Sequence, residues 1–182
     1  IGKLHDALMF VMYFVIAIIL GSLTTRLRSK ERILRSREER ITDLYEFSKA
    51  LGSAIGIGDV TGTAAAYIEK YLDSRAAIIL AGESGGLSSS PAAGSLEISH
   101  KEQGVAEWCF RNRRPAGLFT GTIPRSDAHY VPLIAPGTIV GILGIRPASG
   151  GSFSLEQESF LRNITYQLSM RIERENLMES SR

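Results

Sequence analysis

Residues 129–146 read HYVPLIAPGTIVGILGIR, and this stretch is the main evidence in the sequence for a β-sheet fold. His129–Ala135 and Thr138–Arg146 are rich in aliphatic and β-branched side chains, which favour strands. Pro136-Gly137 between them is a turn dipeptide. Because so short a connection joins neighbouring antiparallel strands, the pattern predicts a β-hairpin within an antiparallel sheet.

The segment after the hairpin predicts a long helix. Pro147 to Ser152 reads as a linker, and Ser154 is a typical N-cap with acidic residues following it in the first turn. Apolar residues then recur on one side of a helix from Leu155 to about Met178, namely Leu161, Ile164, Leu168 and Ile172. We therefore expect a C-terminal output helix over residues 153–182 that packs on the domain.

The segments before the hairpin alternate between helices and short strands. In chain order we expect a helix over Val60–Leu72 with Asp59 as its N-cap, a buried strand over Arg75–Leu80, a strand starting at Leu87, a third strand over Ser95–Ile98 and a helix over Lys101–Arg113. The Ser95–Ile98 pattern is short, so it leaves open whether two or three strands precede that helix. The order predicts an α+β fold, with a central antiparallel sheet flanked by long N- and C-terminal helices.

The N-terminal part of the chain has the pattern of a membrane helix. Ala7 to Thr25 is a run of nineteen residues without a charge. As a helix this run spans about 28 Å, close to the thickness of a bilayer core at about 30 Å. Arg26–Arg40 follows with seven basic residues against three glutamates, which predicts that everything after Thr25 lies in the cytoplasm. The alternatives are a buried core helix or the apolar part of a signal peptide.

The basic segment continues as a helix to about Ala54 and carries a partial heptad pattern. Leu27, Leu34 and Ile41 recur every seven residues, and Leu44 and Leu51 extend the seam. We expect a parallel homodimer through the helices Leu27–Leu51 and Leu161–Ile172, the alternative being a solvated amphipathic helix. The predicted organisation is a membrane helix over 1–25, a signalling helix over 26–54, the domain core over 55–152 and the output helix over 153–182.

The charge distribution argues against nucleic acid as a partner. The net charge is +2, but residues 26–40 alone carry +4 and residues 41–182 carry −2. The basic residues therefore suit anionic lipid headgroups beside Arg26–Arg40. The single cysteine, Cys109, excludes an intramolecular disulfide and fits a reducing compartment.

Several motifs resemble those of known signalling domains. The order of elements, with Gly141-Ile-Leu-Gly144 in the hairpin and Ser154-Leu-Glu156 at the last helix, resembles a GAF domain. A further series is similar to the GAF domain of the KdpD-type potassium and turgor sensor histidine kinases: Gly104-Val-Ala-Glu-Trp108, Asn112-Arg-Arg-Pro-Ala-Gly117, Thr122-Ile-Pro124 and Tyr130-Val-Pro-Leu133. In that family the domain also follows the last membrane helix and an Arg-rich helix, like Thr24-Thr-Arg-Leu-Arg28 and Arg37-Glu-Glu-Arg40 here.

The resemblance implies a dimeric sensory module. It would relay a membrane or cytoplasmic stimulus to a histidine kinase domain downstream in the same chain, at the bacterial inner membrane with the GAF domain in the cytoplasm. The alternative is a membrane-anchored GAF regulatory protein without kinase output, which acts by binding a small ligand or a partner protein. What the gene encodes after Arg182 would separate the two.

The sequence contains no pattern that predicts catalysis. None of the three histidines, His5, His100 and His129, begins a phosphoacceptor motif, and one cysteine without paired histidines disfavours a metal site. Cys109 alone also argues against the chemistry of GAF-type methionine sulfoxide reductases and against bilin attachment. The signature of cyclic-nucleotide-binding GAF domains is missing. We therefore expect no catalytic residue, no metal and no cofactor in this chain.

A small-ligand pocket is the remaining possibility for a site. In the GAF fold a ligand lies between the sheet and the segment that covers it, which the resemblance places at Glu107 to Tyr130. Arginines there would suit an anionic group. The candidate lining residues are Trp108, Arg113, Arg114, Phe119, Thr120, Thr122, His129 and Tyr130. The alternative is that Trp108 belongs to the core, both arginines are solvated and the domain is a dimerising spacer; His129 is then a structural histidine.

Overall fold

The computed structural model describes residues 12–14, 45–82 and 85–181. The chain divides into two compact units, residues 1–45 and 46–182. Apart from residues 12–14, the predicted membrane helix lies outside the described residues, as do the basic segment and the heptad positions before Leu51. Within the described ranges, no helix is both long and apolar enough to cross a membrane.

The unit 46–182 alternates helices with short strands. Residues 46–53 are helical and are called α1 here. They are followed by α2 (Gly56–Leu72), β1 (Ser74–Leu80), α3 (His100–Asn112), β2 (Ala116–Gly117), β3 (His129–Ala135), β4 (Thr138–Pro147) and α4 (Leu155–Ser180). Because strands and helices are interspersed around one sheet, this is an α+β arrangement.

The four strands form one antiparallel sheet in the order β1-β4-β3-β2. The predicted hairpin is confirmed: Ala135 pairs with Thr138 across a turn in which Gly137 has a φ of 84°. The register shifts between Leu133 and Ile134, because β4 carries one extra residue, Val140, opposite them. Strand β2 was not anticipated, since two residues are too few for a periodic pattern.

Helices cover both faces of the sheet. Helices α2 and α4 contact each other and the sheet on one face, here called the helix face. The buried aliphatic residues of that layer include Ile68, Ile164, Leu168 and Ile172, so the stripe expected on the last helix is confirmed as buried. On the other face, here called the α3 face, Ala77, Ile79 and Ile142 share a core with α3. Side chains alternate along a strand, so their neighbours Ile78 and Leu143 point to the helix face.

Two expected helix starts can be compared with the structure. At α4 the prediction is confirmed: the Ser154 hydroxyl accepts from the Gln157 amide, and the Gln157 side chain accepts from the Ser154 amide. At α2 the predicted cap is wrong, because the helix begins at Gly56 and Ile55 is at the N-cap position. The Asp59 carboxylate lies in the first turn and accepts from the Ile55 amide at 3.3 Å, so it acts from inside the helix.

The strands expected at Leu87 and at Ser95–Ile98 do not form. Only isolated pairs occur, between Ala81 and Leu87 and between Ile78 and Ala93. Gly94 has a φ of 105°, so the backbone is not extended at the residue before Ser95. The segment still covers the edge of β1 through single backbone hydrogen bonds, such as that from the Leu96 amide to the Ala76 carbonyl.

Candidate functional site

A cavity of about 740 Å³ opens on the α3 face, between β1, the segment 87–98 and helix α3. Its size falls in the range of small-molecule sites, about 300–1,000 Å³. The lining residues are Ile79, Leu87, Ser88, Ser89, Pro91, Gly94, Ser95, Leu96, Glu97, Ile98, Gln103, Ala106 and Glu107. Apolar side chains therefore lie beside hydroxyls, an amide and two carboxylates, which is the composition of a ligand pocket.

The segment 87–98 is held against the domain at Gly94 and Ser95. A β-carbon on Gly94 would lie about 2.1 Å from the Ala76 carbonyl oxygen, so only glycine allows this approach. At the next residue, the Glu69 carboxylate accepts from the Ser95 hydroxyl at 2.6 Å and from the Ser95 amide at 2.8 Å. It also accepts from the Ala76 amide at 3.0 Å. One wall of the cavity is thereby tied to helix α2.

Glu69 is ionised more readily than an ordinary glutamate. Partial burial opposes the charged form, but the hydrogen bonds from Ser95 and Ala76 and the charge of Arg75 outweigh it and lower the pKa of Glu69. The carboxylate therefore holds Ser95 in place throughout the neutral pH range.

The opposite wall, helix α3, is held by a buried polar cluster around Glu102. The Glu102 carboxylate is 1% exposed. It accepts from the Ser126 hydroxyl at 2.6 Å, from the Tyr130 hydroxyl at 2.9 Å and from the Asp127 amide at 3.2 Å. Gly144 leaves room for the tyrosine, since a β-carbon there would lie 2.8 Å from the ring. The cluster links α3 to strand β3 and to the loop before it.

The Tyr130 hydroxyl acts only as a donor in this cluster. Burial, followed by the hydrogen bond to the Glu102 carboxylate, raises its pKa far above the ordinary value. Its proton therefore stays on the hydroxyl near neutral pH and remains available for the hydrogen bond to Glu102.

The eight residues predicted to line a pocket lie in four places, and none of them lines this cavity. Trp108 is half-buried against the α3-face core, while Arg113 and Arg114, just after α3, are exposed. The hydroxyl of Thr120 donates within its own loop, to the carbonyls of Gly117 and Thr122. A role of these residues in ligand binding stays a prediction.

The third place is an aromatic cluster at the edge of the sheet. Phe119, which is 39% exposed, and His129 each meet Phe153 edge to face with ring centroids 5.5 Å apart. The Nδ1 atom of His129 lies 2.7 Å from the Leu118 carbonyl and donates to it. Burial lowers the pKa of His129, although the Leu118 contact and the Glu158 charge partly offset this. Tyr130, the next residue, is fully buried and belongs to the Glu102 cluster.

Sequence reasoning missed the residues of the cavity itself. The serine-rich segment after Leu87 reads as a mobile loop, because its hydroxyls carry no periodic pattern. Pro91 and Gly94 were a usable signal that this segment is ordered. Proline fixes its φ angle, and glycine allows the backbone to approach a strand closely.

A second concavity, of about 580 Å³, lies between α1 and α4. The Ser48 hydroxyl donates to the side-chain amide oxygen of Gln167 at 2.7 Å, and Arg171 Nη2 donates to the backbone carbonyl of Ala54 at 2.8 Å. Arg171 also pairs with Glu175 at 3.0 Å. The lining residues are Ser48, Leu51, Gly52, Tyr166, Gln167, Met170, Arg171, Glu173, Arg174 and Leu177. We call this the α1–α4 groove.

The described residues offer little for catalysis. Burial raises the pKa of the Cys109 thiol to about 12, so it is not a nucleophile near neutral pH. Across residues 12–14, 45–82 and 85–181, no three histidine, cysteine, aspartate or glutamate side chains are grouped to hold a metal ion.

Comparisons with known proteins identify the kind of domain. No family model matches the chain. It is 27% identical to the sensor protein KdpD of Clostridium acetobutylicum over 175 residues, which are 92% of this chain and 19% of that protein. It is also 27% identical to the sensor protein KdpD of Escherichia coli over 181 residues, 99% of this chain and 20% of that protein. The chain thus spans about a fifth of the length of the curated relatives it matches.

Solved structures show the same fold. The crystal structure of the GAF domain of the potassium sensor histidine kinase KdpD from Escherichia coli matches with a TM-score of 0.65 at 24% identity, over 78% of this chain and 98% of that one. The GAF domain of an Acinetobacter phosphoenolpyruvate-protein phosphotransferase matches with a TM-score of 0.60 at 15% identity, over 76% of this chain and 95% of that one. The GAF-like fold expected from the sequence is therefore confirmed.

Proposed function

We propose that this chain, a KdpD-type GAF segment, is a sensory and signal-transmitting module of a membrane-anchored bacterial two-component sensor that acts on a histidine kinase downstream. The similarity to two KdpD sensor proteins supports this, because it covers nearly the whole chain rather than the GAF core alone. It also favours a kinase output over a GAF regulator without one.

The observation that carries the proposal is the direct contact between the helix that enters the domain and the helix that leaves it. Ser48 and Ala54 of the α1 segment hydrogen-bond to Gln167 and Arg171 of α4. A displacement of α1 therefore reaches α4 without first deforming the sheet. Such a two-helix connection suits transmission, since packed helices shift as units.

The membrane arrangement is part of the proposal. The uncharged run over residues 7–25 is long enough to cross a bilayer, and the basic excess over Arg26–Arg40 suits the anionic headgroups of the cytoplasmic leaflet. The GAF domain then lies in the cytoplasm at the inner membrane. The chain itself acts as a regulatory module rather than an enzyme, and the α3-face cavity is its candidate ligand site.

We also propose that the module is a homodimer through α1 and α4. The apolar stripe from Leu161 to Ile172 is buried inside the domain, so the second copy contacts the opposite side of α4. That side exposes Tyr166 by 63%, Met170 by 37% and Leu177 by 61% along the α1–α4 groove. Sedimentation of the full chain in detergent should show a dimer that Met170→Glu weakens, whereas a pure monomer at high micromolar concentration would contradict the dimer.

The proposed function can be tested with a chimera of the Escherichia coli KdpD protein. The segment of its KdpD that matches this chain is replaced by residues 1–182, and autophosphorylation is measured in proteoliposomes at low and high potassium. The chimera should retain a regulated kinase. A matched chimera with Gln167→Leu and Arg171→Met loses both hydrogen bonds between the α1 segment and α4, so it should keep kinase activity but lose its regulation. Equal regulation in both chimeras would contradict transmission through these helices.

A further inference from the structure

We infer that the α3-face cavity binds a small organic cation with an apolar body, rather than an anion. This inference rests on the proposed role of that cavity as the ligand site of the module. It reverses the expectation from the sequence, in which Arg113 and Arg114 were to bind an anionic group.

The inner part of the cavity is apolar. Ile79 and Leu96 are 5% and 3% exposed and belong to the α3-face core, and Ala106 faces them from α3. Ile98 packs against the same core. A ligand that enters must place hydrocarbon or an aromatic ring here, because a polar group without a hydrogen-bond partner is disfavoured in such surroundings.

The charged side chains of the lining are all acidic. Among the described residues of the lining, Glu97 and Glu107 are the ionisable ones, and none is a lysine, arginine or histidine. Glu107 is paired with Arg111 at 3.0 Å, which leaves Glu97 as the uncompensated charge. The Glu97 carboxylate therefore disfavours an anionic ligand and attracts a cation, since a charge beside a cleft is less screened than one in open water.

The polar groups of the lining complete a site for an ammonium group. Ser88, Ser89 and Gln103 offer oxygens that accept hydrogen bonds from a cationic nitrogen. The partial positive charge at the amino end of α3 would favour an anion. That charge is already compensated by the buried Glu102 carboxylate in the first turn, and the Ser99 hydroxyl caps the helix. The arginines expected to bind an anion are exposed after α3 and do not line the cavity.

Three probes that share one apolar body test the charge preference: 2-phenylethylamine, 2-phenylethanol and 3-phenylpropanoate. The full 182-residue chain is labelled with 5-fluorotryptophan, and its single tryptophan, Trp108, reports binding by ¹⁹F NMR titration in a non-ionic detergent. The amine should bind most tightly, the alcohol more weakly and the carboxylate least. Glu97→Gln should remove an advantage of the amine over the alcohol of about fivefold, the upper end for an exposed ion pair.

Gln103→Phe serves as the second variant. Gln103 is exposed on α3 and lines the cavity, so a ring there should block all three probes while the helix stays folded. The inference would be overturned by tightest binding of 3-phenylpropanoate or by an amine advantage that survives Glu97→Gln. It would also be overturned if equilibrium dialysis found no probe bound to the chain. None of these results would affect the kinase chimera, so the two proposals fail separately.

Discussion

The two faces of the sheet are built differently. On the helix face, Ile68, Ile164, Leu168 and Ile172 form an aliphatic layer with exposures of zero. On the α3 face the core is interrupted by the buried carboxylate of Glu102 and by a cavity of about 740 Å³. The helix face is closely packed, whereas the α3 face combines hydrogen bonds with open volume.

The difference fits a division of roles within one small domain. Close-packed aliphatic layers transmit displacement because they have few alternative arrangements. A face with a cavity can accommodate a ligand, and hydrogen-bonded side chains hold its walls in position. Glu69 connects the two, since it belongs to α2 on the helix face and holds Ser95 of the cavity wall.

The largest loss of stability is expected from a charged substitution in the helix face. Ile164→Glu places an unpaired carboxylate where the native side chain is fully buried, which costs several kcal/mol and is comparable to the whole stability of about 5–15 kcal/mol. We expect loss of cooperative unfolding in urea and of the near-UV signal. The control Ile164→Val should cost only about 0.5–1.5 kcal/mol. A cooperatively folded glutamate variant would show that this layer is not closely packed.

The second effect tests the α3 face through Glu102. Glu102→Ala leaves the Tyr130 hydroxyl and the Asp127 amide without their partner, and each unsatisfied donor costs about 1–3 kcal/mol. Tyr130→Phe removes one donor only and should cost about 1 kcal/mol. Urea unfolding should therefore rank Ile164→Glu, Glu102→Ala and Tyr130→Phe in decreasing order. If Glu102→Ala were as disruptive as Ile164→Glu, the contrast between the faces would not hold.

The third effect concerns the connection between α1 and α4. Arg171→Met removes the hydrogen bond to the Ala54 carbonyl and the ion pair with Glu175 but keeps the aliphatic stem, so we expect a loss of about 1–2 kcal/mol. In the kinase chimera it should reduce regulation by potassium more than it reduces stability. Arg162→Met, at an exposed position of the same helix, is the matched control and should change neither. Equal regulation in both variants would assign Arg171 a structural role only.

The smallest effect is a pH dependence at the edge of the helix face. Burial, partly offset by the Leu118 contact and the Glu158 charge, lowers the pKa of His129 in the folded chain. The unfolded chain, with an ordinary value of about 6.5, then binds more protons, so stability should fall as the pH drops below about 6.5. His129→Gln keeps a donor for the Leu118 carbonyl and should flatten this dependence in thermal unfolding between pH 7 and 5. A flat profile in the native protein would contradict the assignment.

Local patterns accounted for much of the fold. The hairpin, the strand β1 and the helix α4 with its Ser154 cap follow from short-range signals: continuous aliphatic runs, a Pro-Gly turn and a serine at the N-cap position. The failures lie where a single residue changes the backbone. Ser95–Ile98, just after the positive φ of Gly94, lies along β1 without forming a strand of the sheet, and Asp59 acts from within α2 rather than before it.

The antiparallel sheet and the helices around it could be predicted from the sequence, because periodicity, turns and caps act between neighbouring residues. The absence of a phosphoacceptor motif could likewise be read directly from the sequence. The position of the cavity, and the hydrogen bonds that fix its walls, became visible only in the tertiary structure. Glu69 meets Ser95 across 26 positions, and Glu102 meets Tyr130 across 28. These contacts depend on how α2 and α3 pack on opposite faces of the sheet. No local pattern records such packing, since the same side chains would be solvated if the helices lay elsewhere.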